Sequence, residues 1–333
     1  MQNTVLILFT AIVLAACGGK KAGAESAPPA ATEAVAPADI PFDADSAYSY
    51  VARQVAFGPR VPNTQAHTLC ADWLASELGR HGAEVTRQDA SLKAFDGTML
   101  HATNIFARFN PSAKDRLLLL AHWDCRPWAD QDLDPANHTR PVDGANDGAS
   151  GTGVLLEIAR QLGQKAPEKG VDILLVDAED WGTEGDEDSW ALGTRHFVEH
   201  PPVEGYMPSE AILLDMVGGK EAVFCREYFS EQSAPALAAK IWSIAASLGY
   251  GDLFLNKMGG AITDDHVQLI NHGIPAIDII EYHPENRNGF NSRWHTASDN
   301  MYGISAQTLK AVGESVMHYI YAVSYTHLRA HET

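Results

Sequence analysis

Five short runs, "TNIFARF", "RLLLLAHWD", "DILLVDAED", "AILLDMVG" and "PAIDIIEY", are apolar, rich in branched residues and spaced along the chain. They have the length and composition of strands buried on both faces. Between them, "GTGVLLEIARQLG" and "APALAAKIWSIAASLG" repeat apolar residues every three or four positions, the period of a helix packed on one side. Two more helical patterns, "DADSAYSYVARQVAFG" and "TLCADWLASELGRHGA", precede the strands, the second running into glycine as helices often do. Strands alternating with helices predict an α/β fold whose mostly parallel sheet is covered on both faces. Neither an internal repeat nor a proline-rich linker interrupts residues 40–323, so one domain is expected there.

The ends follow other rules. "VLILFTAIVLAAC" is too short to span a bilayer and ends in small residues. Residues 1–17 therefore predict a secretory signal, and "LAACGG" resembles a bacterial lipobox whose cysteine, Cys17, becomes the lipidated first residue. Residues 18–39 are rich in Ala and Pro without apolar periodicity, as in a flexible tether. The expectation is an exported bacterial lipoprotein anchored through Cys17, facing the periplasm or the cell surface. The closing "SYTHLRAHET" is polar, is expected to break the preceding helical pattern, and reads as a non-native tail over residues 324–333.

Composition narrows the partners. With 333 residues, 45% of them hydrophobic, the chain can bury a sizeable core. A formal charge of -19 with no Lys/Arg run excludes a nucleic-acid partner, since phosphates call for clustered cations. A small or peptidic ligand is expected. Cys70, Cys125 and Cys225 are odd in number and lack CxxC spacing, which specifies no disulfide.

Polar residues follow the apolar runs in an ordered way: His122 and Asp124, then Asp177, Glu179 and Asp180, then Asp215. In a parallel sheet the carboxyl ends of strands face one crevice, so these residues converge. Asp147 joins them just ahead of a Gly/Ser-rich helix start, and His295 arrives from a late loop, "RWHTASDN". Singly, each has an ordinary explanation: an Asp before a helix is an N-cap, His-x-Asp is an exposed pair, and Glu-Asp is a solvated turn. Together they form a set of oxygen and nitrogen donors without thiolates, which suits zinc. Their number exceeds what one four-coordinate zinc requires.

"HWD", "GANDGASG", "DAEDWG", "LLDMVG" and "WHT", in this order and spacing, resemble the zinc aminopeptidase clan, the M28 family, with its mixed six-stranded sheet in a three-layer α/β/α sandwich. Within it, "ITDDHVQLINHGIPAIDII" followed by "FNSRWHTASDN" is similar to animal-type glutaminyl-peptide cyclotransferases, which also occur in bacteria. The resemblance covers roughly residues 40–320. It implies one Zn2+ held by Asp147, Asp180 and His295, with Glu179 as general acid/base and Asp215 and Asp264 as a hydrogen-bonded acidic network behind it. It also places Trp294 and Phe290 around the substrate's N-terminal side chain. His122 and Asp215 match positions that hold a second metal in the aminopeptidases. Animal members carry Glu where this chain has Asp180, a side chain shorter by about 1.5 Å, one C–C bond.

The implied reaction is cyclisation of N-terminal glutamine to pyroglutamate with release of ammonia, on peptide or protein substrates, by a monomer. A zinc aminopeptidase is the alternative on the same scaffold. Trp123, Trp128, Trp181 and Trp190 suit either loop packing or a water-excluding pocket. Asp177 has no role beyond structural support of the site.

Overall fold

A computed structural model describes residues 41–330, so Cys17, the tether and residues 331–333 lie outside the described residues. Two helices, α1 (Ala44–Val55) and α2 (Gln65–Arg80), open the chain. They are capped by Asp43 and Thr64, whose side chains accept hydrogen bonds from backbone amides of the first turn. The antiparallel pair β1 (Glu84–Lys93) and β2 (Met99–Phe109) follows. Next come β3 (Arg116–His122), α3 (Ala149–Gln164), β4 (Gly170–Val176), α4 (Leu192–Glu199) and β5 (Glu210–Asp215). A short ribbon of β6 (Phe224–Arg226) and β7 (Phe254–Met258) encloses α5 (Tyr228–Ser233) and α6 (Pro235–Ser247). The chain then forms α7 (Asp265–Asn271), β8 (Ala276–Ile280) and α8 (Ala306–Ala330).

The main sheet has six strands in the order β1-β2-β4-β3-β5-β8. β4, β3, β5 and β8 are parallel, while β2 joins β4 antiparallel. The sheet is thus mixed and mostly parallel.

Alternation along the central strands divides the core in two. Leu117, Leu119, Ala121, Ile173, Leu175, Ile212 and Leu214 pack on the face covered by α1, α2, α3, α6 and α8. Leu118, Leu120, Leu174, Val176, Ala211 and Leu213 meet α4 and α7 on the other. Every residue of β3 and β4 is buried, which explains why those strands are so rich in apolar residues. Leu119 is fully buried at the centre of the larger layer. Leu119→Ala should cost about 2–5 kcal/mol, measured as a lower urea midpoint with unchanged slope; a loss under about 1 kcal/mol would contradict this packing.

Helix α8 departs from expectation. It continues to Ala330, so the backbone stays helical through most of the segment expected to break the pattern after Val323. No helix among the described residues is long and apolar enough to cross a membrane. Cys70, Cys125 and Cys225 are buried free thiols.

Candidate metal centre and active site

The carboxyl ends of β3, β4 and β5 meet on one edge, and the chain turns sharply beyond two of them. Ala178, one residue after Asp177, has φ 53°, and Met216, one residue after Asp215, has φ 47°. His295 itself sits at φ 53°. Left-handed conformations at non-glycine residues are strained and persist where surrounding structure imposes them. Here that structure is a hydrogen-bond frame. Asp124 accepts from the backbone amides of Glu179 and Asp180, each at 3.3 Å, fixing the acidic turn after β4 against the turn after β3. Gln131 donates its amide to the His295 carbonyl at 3.1 Å.

Asp147 is not an N-cap. Gly148 holds that position at α3, without a side-chain cap, and the Asp147 carboxylate reaches His122 Nε2 at 3.0 Å and His295 Nε2 at 3.5 Å. Its loop lies so close to the turn after β3 that a Cβ on Gly148, at φ 97°, would stand 2.2 Å from the Asp124 carbonyl oxygen. A Cβ on Gly151 would stand 2.0 Å from that of Leu214. The small residues of "GANDGASG" therefore bring the loop onto the strand ends. Asp299 holds the loop from the far side, accepting from the amides of Asn146 (2.8 Å) and Asp147 (3.1 Å).

Asp147, Asp180 and His295 each offer a donor atom, all within 4.8 Å of one another and all on buried residues. His295 Nε2 is 3.2 Å from Asp180 Oδ1, yet neither carboxylate oxygen of Asp180 takes a hydrogen bond. The nearest cationic nitrogen of an arginine, Arg126 Nη1, stands 3.7 Å from Oδ1, and two buried carboxylate oxygens without hydrogen bonds are costly unless a cation comes closer. That observation, with a donor set of two carboxylates and one imidazole, fits the zinc expected from the sequence. His122, Asp147 and Asp215 form an adjoining trio within the same 4.8 Å limit, with His122 Nε2 at 3.1 Å from Asp215 Oδ1.

Charge is concentrated in this edge. Burial, with the carboxylates of Asp264, Asp180 and Asp265, pushes the Glu179 carboxyl well above the usual range, against the pull of His122. Burial, with Asp147 and Asp264, takes Asp215 to about 8 despite its hydrogen bond from His122. Burial opposes a charged His122, but the neighbouring carboxylates of Asp124, Asp147 and Asp215 outweigh it and raise its pKa well above the ordinary value. Burial raises Asp264 as well. Among the described residues no direct hydrogen bond joins Glu179 to Asp215 or Asp264; the former pairs with His122 and the latter caps α7 through the Asp265 amide. The charge of Asp264, and not a hydrogen bond, is what raises the Glu179 pKa from this group.

A pocket of about 280 Å³ opens on this edge, lined by Asp147, Glu179, Asp215, Asp264 and His295 together with Trp190, Ile262, Tyr282, Phe290 and Trp294. Trp294 stacks on His295 with centroids 3.8 Å apart, and Phe290 packs on Trp294 at 4.6 Å. The four undecided tryptophans divide. Trp190 is a pocket wall; Trp123 is fully buried, donating Nε1–H to the Thr103 carbonyl and stacking on His67. Trp128 and Trp181 pack edge-on with Phe95 outside the lining. Asp177 gains a defined place: His67 Nε2 meets its carboxylate at 2.7 Å, and the Thr103 and Ala178 amides donate to it.

The profile of peptidase family M28 matches residues 104–320. The chain belongs to peptidase family M28. A glutaminyl cyclase from Porphyromonas gingivalis is 54% identical with a TM-score of 0.83, over 85% of this chain and 98% of that one. A Bacteroides thetaiotaomicron glutaminyl cyclase, solved with N-acetylhistamine, is 50% identical at the same TM-score, over 85% and 99%. Aminopeptidase YwaD of Bacillus subtilis is 27% identical over 271 residues, 79% of this chain but only 54% of that enzyme. This M28 chain thus resembles relatives named for both reactions expected from its sequence.

Sequence reasoning passed over Asp299, Asp130 and Arg126. Asp299 lay within the quoted "WHTASDN", four residues after His295, which is the signal that could have found it. Asp130 and Arg126 carry no spacing that marks them.

Proposed function

We propose that this chain is a zinc-dependent glutaminyl-peptide cyclotransferase that converts N-terminal glutamine of peptides and proteins to pyroglutamate, releasing ammonia. The observation that carries it is Glu179: a buried carboxyl held above its usual pKa, on the wall of a small aromatic pocket beside the Asp147, Asp180 and His295 donors.

In this reaction the α-amine nitrogen bonds to the γ-carboxamide carbon of the same residue, and the bond from that carbon to the amide nitrogen breaks. One proton leaves the attacking amine and one reaches the departing nitrogen. Glu179 is placed to take the first and return it as the second. Asp147, Asp180 and His295 would hold a zinc ion, which would supply Lewis-acid polarisation of the γ-carboxamide. Trp294, Phe290 and Trp190 exclude water, which disfavours hydrolysis, and confine the side chain near its ring-forming conformation. At about 280 Å³ the pocket is at the small end for ligand sites, suiting one residue rather than a length of chain.

The second reading, a zinc aminopeptidase, is favoured by one observation, the His122, Asp147 and Asp215 trio beside the first, since two metals serve peptide hydrolysis better than one. Metal-loaded protein incubated with Gln- and Leu-starting peptides separates the two. Ammonia release with the chain intact is expected from the Gln peptide; free leucine without pyroglutamate would overturn the cyclase reading. Export and anchoring through Cys17 belong to the same proposal, supported by the "LAACGG" sequence.

A further inference from the structure

Arg126 is a buried cation beside the acidic turn after β4, and its guanidinium makes four hydrogen bonds around the proposed ligands. Its Nη1 donates to the backbone carbonyls of Asp180 (3.0 Å) and Gly182 (2.9 Å) and stands 3.7 Å from Asp180 Oδ1. Nε and Nη2 form a fork on Asp130, at 3.1 and 2.7 Å. Asp130 Oδ1 in turn lies 3.6 Å from His295 Nδ1, the ring nitrogen opposite the one facing Asp147 and Asp180. The guanidinium carbon is 4.9 Å from the ring centres of both Trp128 and Trp190. Trp190 lies nearly parallel to His295, 6.1 Å away.

One planar side chain therefore reaches two of the three donors by separate routes: Asp180 through its main chain, and His295 through Asp130. A fork of five donors fits this double duty, and an ammonium does not. Carboxylates on the outer nitrogen of a ligating imidazole fix its orientation and tautomer. The left-handed backbone of His295 makes such fixing necessary, because that conformation persists only where neighbours impose it.

We propose that Arg126 is a positioning residue that, with Asp130 as its relay, holds Asp180 and His295 in ligating register and ties both to the Trp190 wall of the pocket. This rests on the metal reading above. The probe is Co2+, whose visible spectrum reports ligand geometry, titrated into the full metal-free chain against a competing chelator. Arg126→Lys and Asp130→Asn are compared with the parent, with thermal unfolding of the metal-free proteins alongside. Both variants should bind Co2+ about 10–100-fold more weakly and show a shifted Co2+ spectrum. Asp130→Asn keeps the side-chain shape and so secures the test where the Arg126 change prevents folding.

Variants with the parent's Co2+ affinity and spectrum would overturn the inference, including the case in which only the unfolding temperature falls, since that marks a merely structural role. Failure of the parent chain to bind Co2+ is a distinct result, which would overturn the metal reading and this inference with it.

Discussion

Glu179→Gln should remove turnover and leave the metal in place. The substitution keeps the shape of the side chain and the Glu179 amide, whose hydrogen bond to Asp124 belongs to the main chain. It deletes only the capacity to accept and return a proton. Positioned acid/base groups contribute about 10²–10⁴-fold, so ammonia release from a Gln-starting peptide should fall by at least that range while zinc content per chain is unchanged. Stability should move the opposite way from activity. Burial and the carboxylates of Asp264, Asp180 and Asp265 raise the Glu179 pKa, which means that its charged form destabilises the folded state above the ordinary carboxylate range. Removing that charge should leave the metal-free protein at least as stable at neutral pH. Activity within a few-fold of the parent would take Glu179 out of the mechanism.

Asp180→Asn should do the reverse, costing metal first and chemistry as a result. Its two oxygens are buried and without hydrogen bonds, and burial together with the Asp147 charge raises its pKa. In the metal-free chain, burial and Asp147 outweigh what His295 and Arg126 contribute to this carboxylate, whereas metal binding gains much from it. Zinc affinity should fall by more than the 10–100-fold typical of residues that only support a ligand. Unfolding makes the change visible: a metal at 100 times its Kd stabilises by about 2.7 kcal/mol, a gain that should vanish in the variant although its metal-free stability does not drop. A variant that still gained this much from zinc at the same concentration would remove Asp180 from the ligand set.

The central fold was legible because β3, β4, β5 and β8 are buried on both faces and read as apolar runs, interrupted only by Asp172 in β4 and Asp278 in β8. β1 was not. "EVTRQDASLK" is an edge strand with half-exposed and exposed residues alternating, so it lacks the apolar content that marks a strand. The three-residue β6 and the eight-residue helix α4 carry too few positions to show a pattern. At the site, residues directly after buried strands were visible because a charge ending an apolar run demands explanation. Arg126, Asp130 and Asp299 lie in polar loops, where charge is ordinary, and only the folded geometry brings them to the ligands. Asp147 illustrates the same limit: its position before a helix suggests a cap, and its role changes once Gly148 is found to hold the N-cap.

The frame that Asp299 and Asp124 build around the Asp147 loop and the acidic turn uses protein hydrogen bonds alone. In small zinc modules the ion creates the fold, so removing it unfolds the chain. Here the donors are carried by a large hydrophobic core on both faces of the sheet, which needs no ion to form. Ion uptake then requires little chain ordering, and chelation should release the ion from a protein that stays folded and can be reloaded, including with a different divalent ion.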